Sequence, residues 1–246
     1  MARFLHSGHI GDIIAFLPCM RAMGGGHLVI TDHNHQPHLL MRGFKYDSLK
    51  PLLEIQPYIE SVTYEQHPEN IDHDVTGFRR YWGQYPIIGM QAKMLGIEKP
   101  STFQWLDVPK DNRAQGKILC CRSHRYRNDS FPWDKIVNKY RGQILFVGLY
   151  DERGDFISRF GQVDSIWVNN LLELAQLVCG SAIFIGNQSA PFWIAAGLNH
   201  PLIQETHPPL PDSIVEYEYA HYSINGDFDP IDKLIKNRLD NPIDNL

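Results

Sequence analysis

Three runs of polar residues each follow a hydrophobic, strand-like segment, and each has residue types suited to ligand binding or proton transfer. The first run spans residues 7–12. Its glycines, Gly8 and Gly11, allow the backbone to turn tightly and to approach a ligand. Asp12 stands at the start of a helical pattern, where its carboxylate either caps the helix or accepts a proton from a substrate. The spacing is not G-x-G-x-x-G, so it does not support a dinucleotide site.

The second run, residues 122–128, contains three arginines within six positions: Arg122, Arg125 and Arg127. Guanidinium groups beside hydroxyl donors such as Ser123 suit an anionic ligand, for example a diphosphate. A solvated, charged loop would have the same composition. Both interpretations stay open, and the position directly after a strand favours the anion site.

The third run joins a predicted strand to a predicted helix, and its members are Gly186, Asn187, Gln188, Ser189 and Ala190, followed by Pro191. Ser189 can cap the helix, and Pro191 fits the first helical turn. The unpaired N–H groups at such a helix start form an anion-binding site. A purely structural turn would explain Gly186, but it explains the polar residues after it less well.

Two further groups look like binding sites but have a simpler structural explanation. The densest histidine group comprises His33, His35 and His38. Asp32 is the only acid beside it, so no known metal-ligand set is completed, and a solvent-facing loop is favoured. The aromatic residues Tyr81, Trp82 and Trp105 could stack on sugars, but the protein core is their more common location.

Composition and charge limit the classes of function. The chain has 246 residues, of which 43% are hydrophobic and 21% charged, as in globular proteins. A formal net charge of −5 argues against nucleic-acid binding. The four cysteines match neither a disulfide framework nor a zinc pattern, which indicates a reducing compartment. With no signal-peptide pattern and no apolar run of about 18 residues, we expect a cytoplasmic protein without a transmembrane segment. A peripheral contact with a membrane stays open.

Strand and helix patterns alternate along the chain. Strands are predicted over residues 2–7, 27–31, 61–65, 75–78, 117–121, 143–147, 165–168, 182–185 and 201–203. Helices are predicted over residues 13–23, 49–56, 86–95, 133–140, 171–178, 189–198 and 231–239, with Pro18 predicting a later start or a kink in the first. Residues 100–116, which contain two prolines and a glycine, separate the two halves. The sequence therefore predicts two Rossmann-like α/β domains, residues 1–112 and 113–246, with ligands at the carboxyl ends of parallel strands.

The first and third runs together resemble the lipopolysaccharide heptosyltransferases, which are family 9 glycosyltransferases. The similarity is carried by Gly11 and Asp12 before an apolar helix with Pro18, and by residues 171–178, 183–191 and 194–198. Residues 127–133 match more loosely the basic segment that precedes a Trp-Pro pair in that family. These motifs lie in both halves of the chain, in the family's order, and cover about a quarter of it.

The resemblance implies a GT-B architecture, in which two Rossmann-like domains with parallel sheets face a central cleft. It implies that the N-terminal domain binds the acceptor and the C-terminal domain a nucleotide-sugar donor. Asp12 would be the general base of an inverting transfer to a hydroxyl of a glycan or glycolipid. No metal and no cofactor would be needed beyond the nucleotide-diphosphate sugar as co-substrate. The residues expected to contact the donor are Gly8, Gly11, Ser123, Arg125, Arg127, Gly186, Asn187, Gln188, Ser189, Ala190 and Glu205. Glu205, together with Gln204, would contact the donor's base or ribose.

Departures from the family pattern keep other functions open. Gln188 replaces an acid or threonine, Ala190 replaces a glycine and Trp193 stands where a histidine is frequent. The chain is also short for the fold. A catalytically silent, GT-B-like protein that binds a nucleotide sugar is therefore the main alternative. A metal-dependent phosphohydrolase built on the histidine group is a weaker one, because its ligand set is incomplete.

Overall fold

The computed structural model describes residues 1–32, 41–209 and 213–241. The chain forms two compact units. The first consists of Met1–Asp107 with Asn170–Leu172, and the second of Val108–Asn169 with Glu173–Leu246. The boundary between the two units lies between Asp107 and Val108, whereas the sequence predicted a domain boundary between residues 112 and 113. Both positions lie in the segment of residues 100–116 that the sequence marked as a linker.

The first unit is a four-stranded parallel sheet with helices. Its elements are β1 (Arg3–His6), α1 (Ile10–Ala22), β2 (Gly26–Ile30), α2 (Phe44–Glu54), β3 (Ile59–Tyr64), β4 (His73–Asp74), a 3-10 segment (Phe78–Tyr81) and α3 (Ile87–Leu95). The strand order is β3-β2-β1-β4. Leu5 of β1 pairs with Val29 on one side and with Asp74 on the other. Residues that follow β1, β2 and β4 therefore emerge at the same edge of the sheet.

Helix α1 runs without interruption through Pro18, although the sequence predicted a later start or a kink there. A proline inside a helix lacks the N–H that would bond to the carbonyl four residues earlier, here that of Ile14. The indole Nε1 of Trp105 donates to that Ile14 oxygen over 3.1 Å. Both residues are buried, so the side chain supplies the bond that the proline cannot make.

The second unit is a six-stranded parallel sheet with helices. Its elements are a 3-10 segment (Asn112–Ala114), β5 (Ile118–Cys121), α4 (Trp133–Tyr140), a second 3-10 segment (Arg141–Gln143), β6 (Ile144–Val147), α5 (Tyr150–Phe160), β7 (Asp164–Ile166), α6 (Leu171–Gly180), β8 (Ile183–Asn187), α7 (Ala190–Gly197), β9 (Leu202–Glu205), β10 (Ala220–Ser223) and α8 (Phe228–Asp240). The strand order is β10-β9-β8-β5-β6-β7, and every neighbouring pair is parallel.

The centre of the second sheet is fully apolar on both faces, as is typical of parallel sheets covered by helices. All residues of β5 and β6 are buried. Trp133 of α4 packs edge-on against Phe156 of α5 with ring centroids 5.1 Å apart, and Phe156 packs on Phe146 at 4.8 Å. This aromatic cluster fixes α4 and α5 on the sheet.

The alternation predicted from the sequence is confirmed, with local corrections. The strand predicted at residues 75–78 is wrong: β4 occupies His73–Asp74, and Phe78 begins a 3-10 segment. Strand β8 extends to Asn187, two residues beyond the prediction. Helix α5 and strand β10 were not predicted, because polar residues dominate the first, while His221 and Ser223 interrupt the apolar residues of the second.

Candidate functional site

Asp12 is a buried carboxylate in the first turn of α1. It is the third residue of the helix, not the residue that caps it from outside. Its Oδ2 atom accepts from the backbone N–H of His9 at 2.9 Å and from Nη2 of Arg79 at 2.6 Å. The side chain of Asp12 is 6% exposed, whereas that of Arg79 is 35% exposed. Capping and an ion pair thus hold one carboxylate oxygen in place.

The turn before α1 is packed too tightly for any side chain at Gly8. A Cβ there would lie 2.6 Å from Cε1 of His6 and 2.7 Å from Cβ of Asp12. The Gly8 N–H donates to Nδ1 of the buried His6 at 2.9 Å. Burial lowers the pKa of His6 to about 4, from an ordinary value of 6.5. Gly11, which the sequence placed in the turn, lies inside α1 instead.

Gln91 of α3 fastens this turn from the other side. Its Nε2 donates to the backbone oxygen of Asp12 at 2.8 Å and lies 3.1 Å from Nε2 of His6. Gln91 is fully buried. The turn after β1 is therefore a rigid support for the Asp12 carboxylate.

A cavity of about 810 Å³ lies at the carboxyl ends of the strands of the first unit. Its described lining residues are Leu5, Ser7, Thr31, Asp32, Gln66, His67, Pro68, Glu69, Asp74, Thr76 and Gly77. Three of these lining residues carry carboxylates, and no lysine or arginine is among the described lining residues. The lining offers hydroxyl, amide and carboxylate groups, which are hydrogen-bonding partners for a hydroxyl-rich molecule.

In the second unit, the structure brings the arginine-containing loop and the end of β8 together through one side chain. The amide of Asn187 accepts from the Ser123 N–H at 3.0 Å and donates to the Ser123 carbonyl at 3.1 Å. It also donates to the carbonyl of Arg125. Asn187 is fully buried, so its amide fixes the shape of the loop.

The three arginines of this loop have different environments. Arg122 is buried and pairs with Glu205, Nη2 to Oε1 at 2.8 Å. Arg127 pairs with Asp155, Nη2 to Oδ2 at 2.8 Å. Arg125 is exposed, and its Cζ lies 5.5 Å from the ring centre of Tyr126. It forms no ion pair with any residue that the structure describes.

Gly186 and the start of α7 lie beside this loop. Gly186 belongs to β8, where a Cβ would lie 2.7 Å from the Cys121 carbonyl of the adjacent strand, so close strand packing requires the glycine. Ala190 begins α7 after Ser189. The Ser189 hydroxyl donates back to the Asn187 carbonyl at 3.3 Å and does not cap the helix. The N–H of Ala190 is in the first turn, whose donors have no partner within the helix.

Gln188 and Glu205 both bind other parts of the chain. Oε1 of Gln188 accepts from the His207 N–H at 2.7 Å. Glu205 is completely buried and accepts from Arg122, from the Asn128 N–H at 2.8 Å and from Nε1 of Trp133 at 2.8 Å. Its two oxygens are occupied by the protein itself, in contrast to the ribose or base contact that the sequence led us to expect.

The histidine group His33, His35 and His38 lies outside the described residues. Within residues 1–32, 41–209 and 213–241, no group of three or more His, Cys, Asp or Glu side chains is arranged to hold a metal ion. In the same part of the chain no helix has both the length and the apolar character needed to cross a membrane.

Comparison with known proteins gives a match in structure and none in sequence. No family model and no curated protein matches the sequence. The E. coli heptosyltransferase WaaC with ADP-2-deoxy-2-fluoro heptose matches with a TM-score of 0.58 at 12% identity, over 98% of this chain and 99% of that chain. The E. coli ADP-heptose lps heptosyltransferase II matches with a TM-score of 0.60 at 13% identity, over 97% of this chain and 98% of that chain. A family 9 glycosyltransferase from Veillonella parvula matches with a TM-score of 0.58 at 12% identity, over 96% of this chain and 89% of that chain.

The chain has the GT-B fold of these glycosyltransferases. The predicted class, an α/β protein with two Rossmann-like domains and parallel sheets, is confirmed. At this level of identity the likeness is one of fold, and the roles of individual residues in this GT-B chain rest on their own geometry.

Arg79, Gln91 and His207 were not predicted from the sequence, although all three contact predicted site residues. Arg79 lies in the segment Phe78–Tyr81, which follows β4 after residues 75–77, and it is next to Tyr81 and Trp82 in the sequence. Trp105 is buried as expected, but Trp82 is 42% exposed and belongs to the surface near Arg79. An arginine next to aromatic residues, directly after the strand predicted at residues 75–78, was the available signal in the sequence.

Proposed function

We propose that the protein is an inverting glycosyltransferase that moves a sugar from a nucleoside-diphosphate donor to a hydroxyl of a glycan or glycolipid. The observation that supports this most directly is the buried Asp12 carboxylate, which a rigid turn holds at the start of α1 in a chain with the GT-B fold. Asp12 accepts the proton of the acceptor hydroxyl while the hydroxyl oxygen attacks the anomeric carbon. The nucleoside diphosphate leaves from the opposite face with the bonding electrons, so the configuration inverts.

The second unit has the groups that a departing diphosphate requires. Arg125 is the exposed cation of its loop, and the N–H of Ala190 belongs to the first turn of α7. Negative charge that develops on the leaving group is stabilised by such preorganised donors. We infer that these groups take the role that a metal ion has in other transferases.

ADP-heptose is the first donor to test. The E. coli heptosyltransferase structures contain ADP and ADP-2-deoxy-2-fluoro heptose, and the heptosyltransferase TibC was solved with ADP-D-beta-D-heptose. These ligands belong to those proteins, and for the present chain the nucleotide and the sugar are part of the proposal.

The cavity of the first unit suits the acceptor. Its lining includes the carboxylates of Asp32, Glu69 and Asp74 and the hydroxyl groups of Ser7, Thr31 and Thr76. Carboxylates repel phosphate and carboxylate groups and accept hydrogen bonds from sugar hydroxyls. We therefore propose an acceptor that presents an uncharged, hydroxyl-rich sugar.

The decisive experiment measures ADP release from ADP-D-beta-D-heptose, with water as the acceptor, by the wild type and by Asp12→Asn. The amide has the shape of the carboxylate but cannot take up the proton, so release should fall by about 100-fold or more. Asp47→Asn, an exposed position on α2, is the matched control and should keep full activity. If Asp12→Asn is as active as the control, Asp12 is not the base.

A catalytically silent binding protein is the second candidate, because Gln188 replaces an acid or threonine of the family pattern and its amide oxygen accepts from the His207 N–H. Such a protein would be stabilised by ADP-D-beta-D-heptose in a thermal-shift assay without releasing ADP, even as wild type.

A further inference from the structure

We propose that Arg79 is a positioning residue for Asp12, so that it selects which carboxylate oxygen faces the acceptor. This inference rests on the proposed function, because it concerns the base of that reaction. Arg79 and Asp12 are 67 positions apart in the chain, and Nη2 of the arginine lies 2.6 Å from Oδ2 of the aspartate. No sequence motif predicts that Arg79 and Asp12 form a pair.

The guanidinium of Arg79 itself lies close to two aromatic rings. Its Cζ lies 5.0 Å from the ring centre of Phe78 and 5.2 Å from that of Trp82. Phe78 is buried, whereas Trp82 is partly exposed. Guanidinium groups stack on aromatic faces, and an ammonium group lacks this planar contact. The rings therefore limit the directions in which Arg79 can donate.

The fold delivers both partners to the same place. Asp12 follows β1 and Arg79 follows β4, and these strands are neighbours paired at Leu5 and Asp74. The Phe78 N–H donates to the Val75 carbonyl at 3.1 Å, which turns the chain sharply after β4. Residue 79 thus returns over the edge of the sheet toward the start of α1.

The consequence for catalysis is a fixed carboxylate. Oδ2 of Asp12 already accepts from the His9 N–H and from Arg79, so Oδ1 is the oxygen to which we assign the proton transfer. A proton transfer requires the two heavy atoms within hydrogen-bond reach and aligned. An aspartate without Arg79 would keep its backbone anchor at His9 but lose the second restraint on its carboxylate plane.

The test compares Arg79→Met, Arg79→Lys and the neighbouring control Arg80→Met. The assay follows ADP release from ADP-D-beta-D-heptose with water as the acceptor. Misplacing a catalytic group by about 1 Å costs roughly 100-fold in rate, so kcat of Arg79→Met should fall by about that factor while the donor KM changes by less than about twofold. Arg79→Lys keeps the charge and an N–H donor and should recover part of the loss. Arg80, which is exposed and donates to the Gly77 carbonyl, should be replaceable without effect.

Crystal structures of the Arg79→Met and Arg79→Lys proteins supply a readout that does not depend on turnover. We expect the Asp12 carboxylate to keep its orientation with lysine and to rotate or become disordered with methionine. An unchanged carboxylate in Arg79→Met, or a kcat equal to that of Arg80→Met, would overturn the positioning role. Full activity of Asp12→Asn would instead overturn the proposed function, whatever the arginine variants do.

Discussion

Arg122 and Glu205 form an ion pair that is almost fully sequestered from solvent in the second unit. Nε of the arginine lies 2.8 Å from Oε2 and Nη2 lies 2.8 Å from Oε1, while the two side chains are 2% and 0% exposed. The Trp133 indole and the Asn128 N–H add two more donors to the same carboxylate. One glutamate therefore joins the ends of β5 and β9 to the start of α4.

Removing the charge of this glutamate should strongly destabilise the protein. In Glu205→Gln the Arg122 cation remains buried without a counter-charge, and breaking one side of a buried pair costs about 3–5 kcal/mol. Urea unfolding at neutral pH measures the loss. The double variant Arg122→Met with Glu205→Gln removes the stranded cation and keeps an acceptor for Trp133, so it should be more stable than Glu205→Gln alone. A double variant that is less stable than the single one would refute this explanation.

A methyl group at Gly8 should be harmful, because its Cβ would collide with His6 and Asp12. Overpacking of this kind costs about 1–3 kcal/mol, and the displaced Asp12 should also lose its contact with Arg79. Gly154, inside α5, is the matched control, since a Cβ at this position would meet no described atom within 4 Å beyond its chain neighbours and the backbone of its own helix. Gly154→Ala should stabilise the helix by about 1 kcal/mol. Equal effects of the two substitutions on the melting temperature would contradict the packing argument.

Pro18 and Trp105 should be energetically coupled through the Ile14 carbonyl. Trp105→Phe leaves that buried oxygen without its donor, which costs about 1–3 kcal/mol in addition to the lost volume. In a Pro18→Ala background residue 18 regains an N–H for the same oxygen, so Trp105→Phe should cost about 1 kcal/mol less. A double-mutant cycle by urea unfolding measures the difference. Pro51→Ala in α2 is the control background, and there the cost of Trp105→Phe should not change.

Stability should fall with acid partly because of His6. Burial lowers its pKa to about 4 in the folded protein, while the unfolded chain has the ordinary value of 6.5. Above pH 6.5 neither state binds the proton, so the stability is fully present there. As the pH falls from 6.5 toward 4 only the unfolded state gains the proton, which costs the folded state about 3 kcal/mol.

The test of this pH dependence is the unfolding free energy between pH 7 and pH 4. His6→Asn keeps an acceptor for the Gly8 N–H and removes the titrating ring, so its stability should decline less steeply than that of the wild type. His67→Asn, at an exposed position, should follow the wild-type curve. Parallel curves for His6→Asn and the wild type would exclude His6 as the source.

The fold was largely predictable because its signals are local. Apolar runs that alternate with helical patterns identified the strands of both sheets except β4 and β10. Helix α5 was not predicted, because its first turns contain residues typical of a loop: Asp151, Glu152, Arg153 and Gly154. Its apolar contact is carried by the buried Phe156 and the partly buried Phe160, and two such residues are too few to reveal a helical period.

The candidate site was harder to predict because it depends on pairing over long distances. Asp12 could be recognised from its position after a glycine turn, but its partner Arg79 could not. The arginine loop showed three cations of the same type, and only the fold separates the buried Arg122 from the exposed Arg125. Similarly, Gly186 satisfies strand packing against Cys121, a contact between residues on different strands.

The unequal environments of the three arginines determine the range over which the second unit can attract an anion. Arg122 and Arg127 are matched by carboxylates, so a diphosphate that reaches the loop meets the guanidinium of Arg125, which no carboxylate of the described residues neutralises. At larger distances the ligand experiences the whole chain, whose formal net charge is −5. Electrostatic steering would therefore slow the approach of a nucleotide. Capture of the donor would depend on contacts made within a few ångströms, and ionic strength would affect it as it affects a single ion pair.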